Sequence, residues 1–251
     1  MDGVYSADRS IKGKLRRRLV RLAERRPAAR GPARPMVSFT FDDAPASAVA
    51  AGRAALEARG QKGAYFVAAG LAGQDGPMGR YADADEMRGA LEAGHELACH
   101  TFSHLDCGRA ARRAIEADVD RNAAALAALG APPAATFAFP YGDVSLSAKQ
   151  ALGDRYALLR ALHHGLIDAG VDLNQAPAVG IEGPDGEEVA RRWIARAIDR
   201  CAWLILYTHD VAETPSPFGC TPDALKRLLD EALESGAEIV TAAEGARRLA
   251  A

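Results

Sequence analysis

The chain has 251 residues, nearly half of them apolar and a quarter charged, with a formal net charge of -2. This composition suits a globular domain with a sizeable core, and the near-neutral balance argues against a partner, such as nucleic acid, held by overall charge. No stretch approaches the ~20 apolar residues of a membrane-spanning helix, and the opening MDGVYSADRS lacks the apolar run of a secretory signal, so a cytoplasmic protein is expected. Cys99, Cys107, Cys201 and Cys220 form no C-x-x-C pair and read as free thiols of a reducing compartment.

Residues 1–35 differ from the rest. Lys12, Lys14, Arg16, Arg17, Arg18, Arg21, Arg25 and Arg26 far outweigh Asp2, Asp8 and Glu24, and Leu15, Leu19 and Leu22 recur at helical spacing. The segment reads as a short basic amphipathic helix. Such an arm suits peripheral contact with the anionic inner face of a membrane, or packing against a second copy as a homodimer. The plainer expectation is a solvated or docked helix. Pro27, Gly31, Pro32 and Pro35 close it as a linker, dividing the chain into an arm (1–35) and a folded domain (36–251).

From residue 36 strands and helices alternate. Residues 36–41 read as a strand, 48–59 as a helix closed by Gly60, and 62–67 as a second strand. A helix over 83–93 ends at Gly94 and leads into a strand at 95–99; a long Ala-rich helix over 109–129 ends at Gly130 and leads into a strand at 135–139. There follow a helix at 147–153, strands at 156–159 and 177–182, a helix at 187–199, a strongly apolar strand at 203–207, a helix at 223–235, a strand at 238–240 and a last helix at 242–249. This alternation predicts a parallel sheet covered by helices, and periodicity alone does not choose between an open sheet and a barrel. In either, reactive side chains gather just past the C-terminal ends of the strands. No G-x-G-x-x-G follows the first strand and no Walker loop is present, which removes the usual nucleotide readings.

Four polar clusters occupy such positions: Asp42-Asp43, His100-Thr101-Phe102-Ser103-His104, Pro140-Tyr141-Gly142 and His209-Asp210. Histidines four apart can face one side of a helical turn, a spacing that suits metal ligation, and two histidines with one carboxylate leave open positions on a divalent ion. Adjacent carboxylates allow one to bind the ion while the other stays free as a base, kept ionised by the cation. Zinc is the first choice, and cobalt, manganese or nickel suit the same donors.

Thr40-Phe41-Asp42-Asp43, the His100 to His104 segment and Leu206-Tyr207-Thr208-His209 resemble motifs one, two and five of the polysaccharide deacetylases, the NodB-homology or carbohydrate esterase family 4 enzymes. Phe137-Ala138-Phe139-Pro140-Tyr141-Gly142 resembles motif three. The four motifs keep the family's order and spread over residues 38–210. The resemblance implies an α/β fold, a distorted (β/α)7 barrel, with one metal ion held by Asp43, His100 and His104. It implies Asp42 as the base that deprotonates a metal-bound water, His209 as the acid that protonates the leaving amine, and the Tyr141 backbone N–H with the metal as the oxyanion site. The implied activity is removal of N-acetyl groups from N-acetylhexosamine units of a bacterial exopolysaccharide or its lipid-linked precursor, with a holdfast or biofilm adhesin as the specific guess. An O-acetyl carbohydrate esterase and a non-catalytic sugar-binding relative are the alternatives.

Two departures stand out. The family's motif-three arginine, which steadies the base, falls at Ala138 here, and Arg160 at the end of the fifth strand is expected either to replace it or to form a surface salt bridge. Motif four is not located, so Asp172 and Asp210 are both candidates for the carboxylate that orients His209. His95 is expected to have a structural role, and the 218–222 segment to be either a wall of the groove or an ordinary loop.

Overall fold

The computed structural model of the protein describes residues 19–250. Leu15 and the basic run up to Arg18 lie outside the described residues. In chain order the body runs β1 (Met36–Asp42), α1 (Ala48–Gly52, continuing as Arg53–Glu57), β2 (Ala64–Val67), the short strands β3 (Asp75–Gly76) and β4 (Gly79–Arg80), α2 (Ala84–Glu92) and β5 (Glu96–Cys99). It continues with α3 (Arg112–Ala128), β6 (Thr136–Ala138), α4 (Leu146–Leu152), β7 (Leu158–Arg160), β8 (Val179–Gly180), α5 (Gly186–Arg200), β9 (Trp203–Thr208), α6 (Pro222–Glu234), β10 (Glu238–Ile239) and α7 (Ala242–Ala250). No helix among the described residues is long and apolar enough to cross a membrane.

The main sheet is parallel in the order β7-β6-β5-β2-β1-β9-β8, a curled half-barrel of seven strands. β10 pairs with Met36 and Val37 at the start of β1, on the edge that β2 takes further along through Thr40 to Asp42. Past the far edge, Ala176 N–H donates to the Leu159 carbonyl and Ala161 N–H to the Ala176 carbonyl, so the chain entering β8 also borders β7. The antiparallel ribbon β3–β4, absent from the sequence reading because each strand is two residues long, packs beside the β1 end: Ala82 N–H donates to Ala44 O at 2.9 Å.

Period-two alternation sorts β1. Val37, Phe39 and Phe41 face outward into an apolar layer with Tyr65, Leu97, Leu204 and Leu206, where Leu225, Leu228 and Leu229 of α6 and Ile194 of α5 cover them. Burying each large apolar side chain of this kind contributes about 1.5–3 kcal/mol. Met36 packs on the opposite side with Ala64, Phe66, Ala98, Ala138, Ala176, Ala178, Trp203, Ile205 and Tyr207. Five of these are alanines, which leaves room for the large rings of Phe66, Trp203 and Tyr207 and for the side chain of Arg160. Trp203 Nε1 donates to Ser38 Oγ at 2.9 Å, so the one polar atom of that ring is satisfied.

The helix starts follow local chemistry. Asp83 caps α2 by accepting from Asp85 N and Glu86 N at 3.0 Å, while Glu86 accepts from Asp83 N at 2.9 Å. Thr221 caps α6 ahead of Pro222.

Residues 20–30 are fastened to the body. Arg26 donates to the carbonyls of Gly153 and Tyr156 at 2.7 Å, its N–H donates to Asp172 Oδ1, and Ala28 N–H donates to Val171 O. Lys149 of α4 is buried and donates to Val20 O at 3.0 Å, Ala23 O at 2.7 Å and Asp172 Oδ2 at 2.7 Å. Replacing one member of a buried pair strands the other's charge. Lys149→Met is therefore expected to lower unfolding stability by about 3–5 kcal/mol, read as a fall in the urea midpoint at unchanged slope.

Candidate active site

β1 delivers two carboxylates that diverge. Asp42 is the last strand residue; Asp43 and Ala44 then take left-handed φ of 61° and 48°. That turn brings Asp43 Oδ1 to 3.5 Å from His100 Nε2 and 3.3 Å from His104 Nε2. His100 follows β5, and its Nδ1–H donates to the Ala138 carbonyl at 2.8 Å, which aims Nε2 at the cluster. Burial pushes the His100 pKa down to about 4, so the ring is neutral and its free nitrogen can ligate.

The loop from Thr101 to His104 is held from α3. Asp118 Oδ1 accepts from Phe102 N at 2.7 Å and Ser103 N at 2.9 Å, and Oδ2 accepts from Ser103 Oγ at 2.9 Å. Asn122, one turn on, accepts from Ala69 N and donates to Val67 O, so the β2 loop is tied to the same helix. Seven non-glycine residues among those described have left-handed φ, and five of them (Asp43, Ala44, Thr101, His104, Tyr141) sit in the three loops of this site. Such strain costs of order 1–3 kcal/mol per residue and persists where surrounding contacts enforce it, as at functional sites.

Asp43, His100 and His104 offer ligand atoms all within 4.8 Å of one another. Asp43 Oδ1 is buried and receives no hydrogen bond, an uncompensated acceptor that a cation would satisfy. Two imidazoles and a carboxylate are the donor set of an open, catalytic site. The residues fit a divalent ion.

Asp42 does not join the cluster. Its two oxygens accept from Arg160 Nη2 at 2.5 and 2.6 Å. Arg160 is 0% exposed, its guanidinium 5.0 Å from the Phe66 ring centre and 5.3 Å from that of Tyr207. It is the register partner of Ala138 on the neighbouring strand, so the cation missing from motif three stands one strand away at the matching height. A surface salt bridge is excluded by this burial. Burial alone would raise the Asp42 pKa, but Arg160, His100 and His209 outweigh it and hold the carboxyl below its usual range.

His209 follows β9, with its side chain 16% exposed. Nδ1 lies 3.1 Å from Glu182 Oε1 and 3.2 Å from Phe218 O. Burial lowers the pKa of this ring, but the Glu182 hydrogen bond and the charges of Asp42, Asp43 and Glu182 overcome it and raise it to about 9. The orienting carboxylate is thus Glu182, which also accepts from Tyr207 Oη at 3.3 Å. Neither sequence candidate has this place. Asp172 serves Lys149 and the 20–30 segment, and Asp210 accepts from Ser216 N and Oγ. The signal for Glu182 was position: it lies two residues past β8, where site residues collect. The sequence reads a strand over 177–182, which puts Glu182 inside it, whereas β8 ends at Gly180.

Tyr141, with φ of 58°, sets its ring edge-on to His104 at 4.5 Å between centroids and is 43% exposed. Gly142 beside it has φ of 65°, and a Cβ there would lie 2.5 Å from Leu162 Cγ, so the loop needs glycine at this place. His95 is buried away from the cluster, accepting from Gly63 N at 3.0 Å, the structural role expected of it.

A family model described as polysaccharide deacetylase matches residues 29–155. No curated protein sequence matches the chain. Among solved structures, a putative polysaccharide deacetylase from Mycobacterium smegmatis is similar at TM-score 0.67 and 16% identity, over 90% of this chain and 94% of that one. The chitin deacetylase of Colletotrichum lindemuthianum is similar at TM-score 0.62 and 17% identity, over 86% and 89%. A family 4 acetyl xylan esterase from Clostridium thermocellum, solved with a cobalt ion, is similar at TM-score 0.56 and 20% identity, over 83% and 89%. At these identities the likeness is one of fold: the curled parallel sheet is shared.

Arg160 generates a test. Asp42 works as a base only when ionised. Removing the guanidinium leaves burial to raise its pKa, so Arg160→Ala is expected to move the acid limb of kcat/KM to higher pH and to lower activity at neutral pH, with bound metal retained by elemental analysis. An unmoved limb with unchanged turnover would remove the role given to Arg160.

Proposed function

We propose, for a chain that belongs to the polysaccharide deacetylase family, that it is a metal-dependent hydrolase removing N-acetyl groups from N-acetylhexosamine units of a bacterial exopolysaccharide or its lipid-linked precursor. The observation that carries this reading is the pairing of two oppositely tuned groups beside one ligand cluster: a carboxylate kept ionised by a buried arginine, and a histidine kept protonated by a half-buried carboxylate. Amide hydrolysis requires both, a base for the attacking water and an acid for the departing amine.

Asp43, His100 and His104 would hold the ion, with zinc the expected one. When bound, a divalent ion there supplies a Lewis acid that lowers the pKa of water and polarises the acetyl carbonyl. Asp42, fixed by Arg160, accepts the proton of the attacking water on one oxygen. The Tyr141 backbone, set in a left-handed turn against His104, presents its N–H to the oxygen that develops negative charge; one such donor is typically worth about 3–4 kcal/mol. His209 gives its proton from Nε2 to the amine nitrogen, because Nδ1 faces Glu182. Glu182 holds the ring's orientation and stabilises its charged form. A cation bound at Asp43 offsets that carboxylate's share of the His209 shift, and the share due to Glu182 persists.

An O-acetyl carbohydrate esterase is the second reading, favoured by the fold shared with the acetyl xylan esterase. The raised pKa of His209 favours the amide, since an amine leaves only after protonation while an alkoxide depends on this less.

The test is acetate release from N-acetylglucosamine oligomers with zinc, cobalt, manganese or no added ion. Metal-dependent release is expected, with Asp42→Asn slower by roughly 10²–10⁴; no acetate under any condition, with Asp42→Asn the same as wild type, would sink the reading. His209 acts while protonated, so activity is lost as pH rises through its pKa. Glu182→Gln removes a group that raises that pKa, and the alkaline limb of kcat/KM is expected to shift to lower pH.

A further inference from the structure

Large apolar side chains are expensive to leave in water, and among the described residues five are exposed: Leu19, Leu22, Tyr141, Leu146 and Phe218. The two aromatics both stand at the site, Tyr141 against His104 and Phe218 with its ring 5.8 Å from that of His209.

The exposure of Phe218 is enforced by its surroundings. Asp210 Oδ2 accepts from Ser216 N at 2.8 Å and Oδ1 from Ser216 Oγ at 2.5 Å; Ser216 Oγ in turn accepts from Phe218 N at 3.2 Å. The Phe218 carbonyl accepts from His209 N at 3.1 Å, from Thr208 Oγ1 at 3.4 Å and lies 3.2 Å from His209 Nδ1. Cys220 N–H donates to Asp210 O at 3.0 Å, closing the base of the loop. Gly219 presses on Asp210 so closely that a Cβ there would meet Oδ1 at 2.4 Å. The segment is clamped on both sides of Phe218, and its ring, 41% exposed, is presented to solvent in a fixed place beside the acid.

The reaction says what must lie there. The nitrogen that His209 protonates is bonded directly to a carbon of the sugar ring, so that ring sits one bond from the atom at which the proton arrives. A pyranose presents a face of C–H groups that packs on an aromatic plane, with its hydroxyls left at the edge for water. We propose that Phe218 is the platform on which the amine-bearing pyranose ring stacks, and that Asp210, through Ser216, is the positioning residue that holds it. This inference rests on the deacetylase reading and deepens it: the site takes a hexosamine ring through its apolar face, where a peptide amide or an acylated alkylamine offers no such surface.

The experiment is direct binding, so that it does not depend on turnover. The N-acetylglucosamine tetramer is titrated calorimetrically into Asp42→Asn protein and into the same protein carrying Phe218→Ala, Phe218→Tyr, Asp210→Ala or, as a control at another exposed apolar side chain, Leu146→Ala. Phe218→Ala is expected to weaken binding roughly tenfold, the order of loss on truncating an aromatic anchor. Phe218→Tyr is expected to restore it, Asp210→Ala to weaken it, and Leu146→Ala to leave it unchanged. In an otherwise wild-type enzyme, Phe218→Ala is expected to raise KM for the tetramer far more than it lowers kcat. Equal affinity of the Phe218→Ala and parent proteins overturns the proposal. So does a loss that Phe218→Tyr does not restore, since a ring that only props His209 would show itself that way. Absence of acetate release from wild type with these binding differences intact would instead count against the deacetylase reading alone.

Discussion

A guanidinium shut away from water, facing a single carboxylate, is the constraint around which this barrel is arranged. The burial of Arg160 is offset by Asp42, whose two oxygens both accept from Nη2, and by the rings of Phe66 and Tyr207 that flank the guanidinium. Ala64, Ala98, Ala138, Ala176 and Ala178 share their cluster with Phe66 and Tyr207, the two rings over which the guanidinium lies. The pair of Arg160 and Asp42 also governs chemistry. It commits Asp42 to the ionised state and to a single orientation, which leaves the neighbouring carboxylate, Asp43, to the two histidines.

The acid side mirrors the base side with the charges exchanged. There a carboxylate, Glu182, supports a cation, His209. The two supports arise from different strands, β7 and β8, and neither lies in the four motifs that mark the family in this sequence. Reaction chemistry is written in the motifs, while the groups that tune it sit in positions defined only by three-dimensional neighbourhood.

This sets what could be read beforehand. The alternation of elements, the strand ends that carry Asp42, Asp43, His100, His104 and His209, and the boundaries of the strongly periodic helices were legible, since they follow from spacing of three to four or of two. Arg160 was legible as a candidate because it ends a strand. Its function needed the register of Ala138 against Arg160. Glu182 was hidden as the last residue of a strand read at 177–182, whereas β8 ends at Gly180, and Asp172 and Asp210 drew the role that belongs to a residue 27 positions before the histidine. Asp118 and Asn122 gave no signal at all: on a helix read from its alanines, nothing marks two polar residues as the anchors of distant loops.

The fastening of residues 20–30 bears on how the protein can be shortened. The ammonium of Lys149 is solvated by the chain itself, and two of its three partners are carbonyls of Val20 and Ala23. Trimming the basic arm back to Pro35, where composition suggests a natural cut, would remove that solvation and open a water-accessible gap beneath α4. A truncated protein of that kind would report on the integrity of the barrel wall, whatever the arm itself does. A cut made ahead of Val20 would separate the two questions.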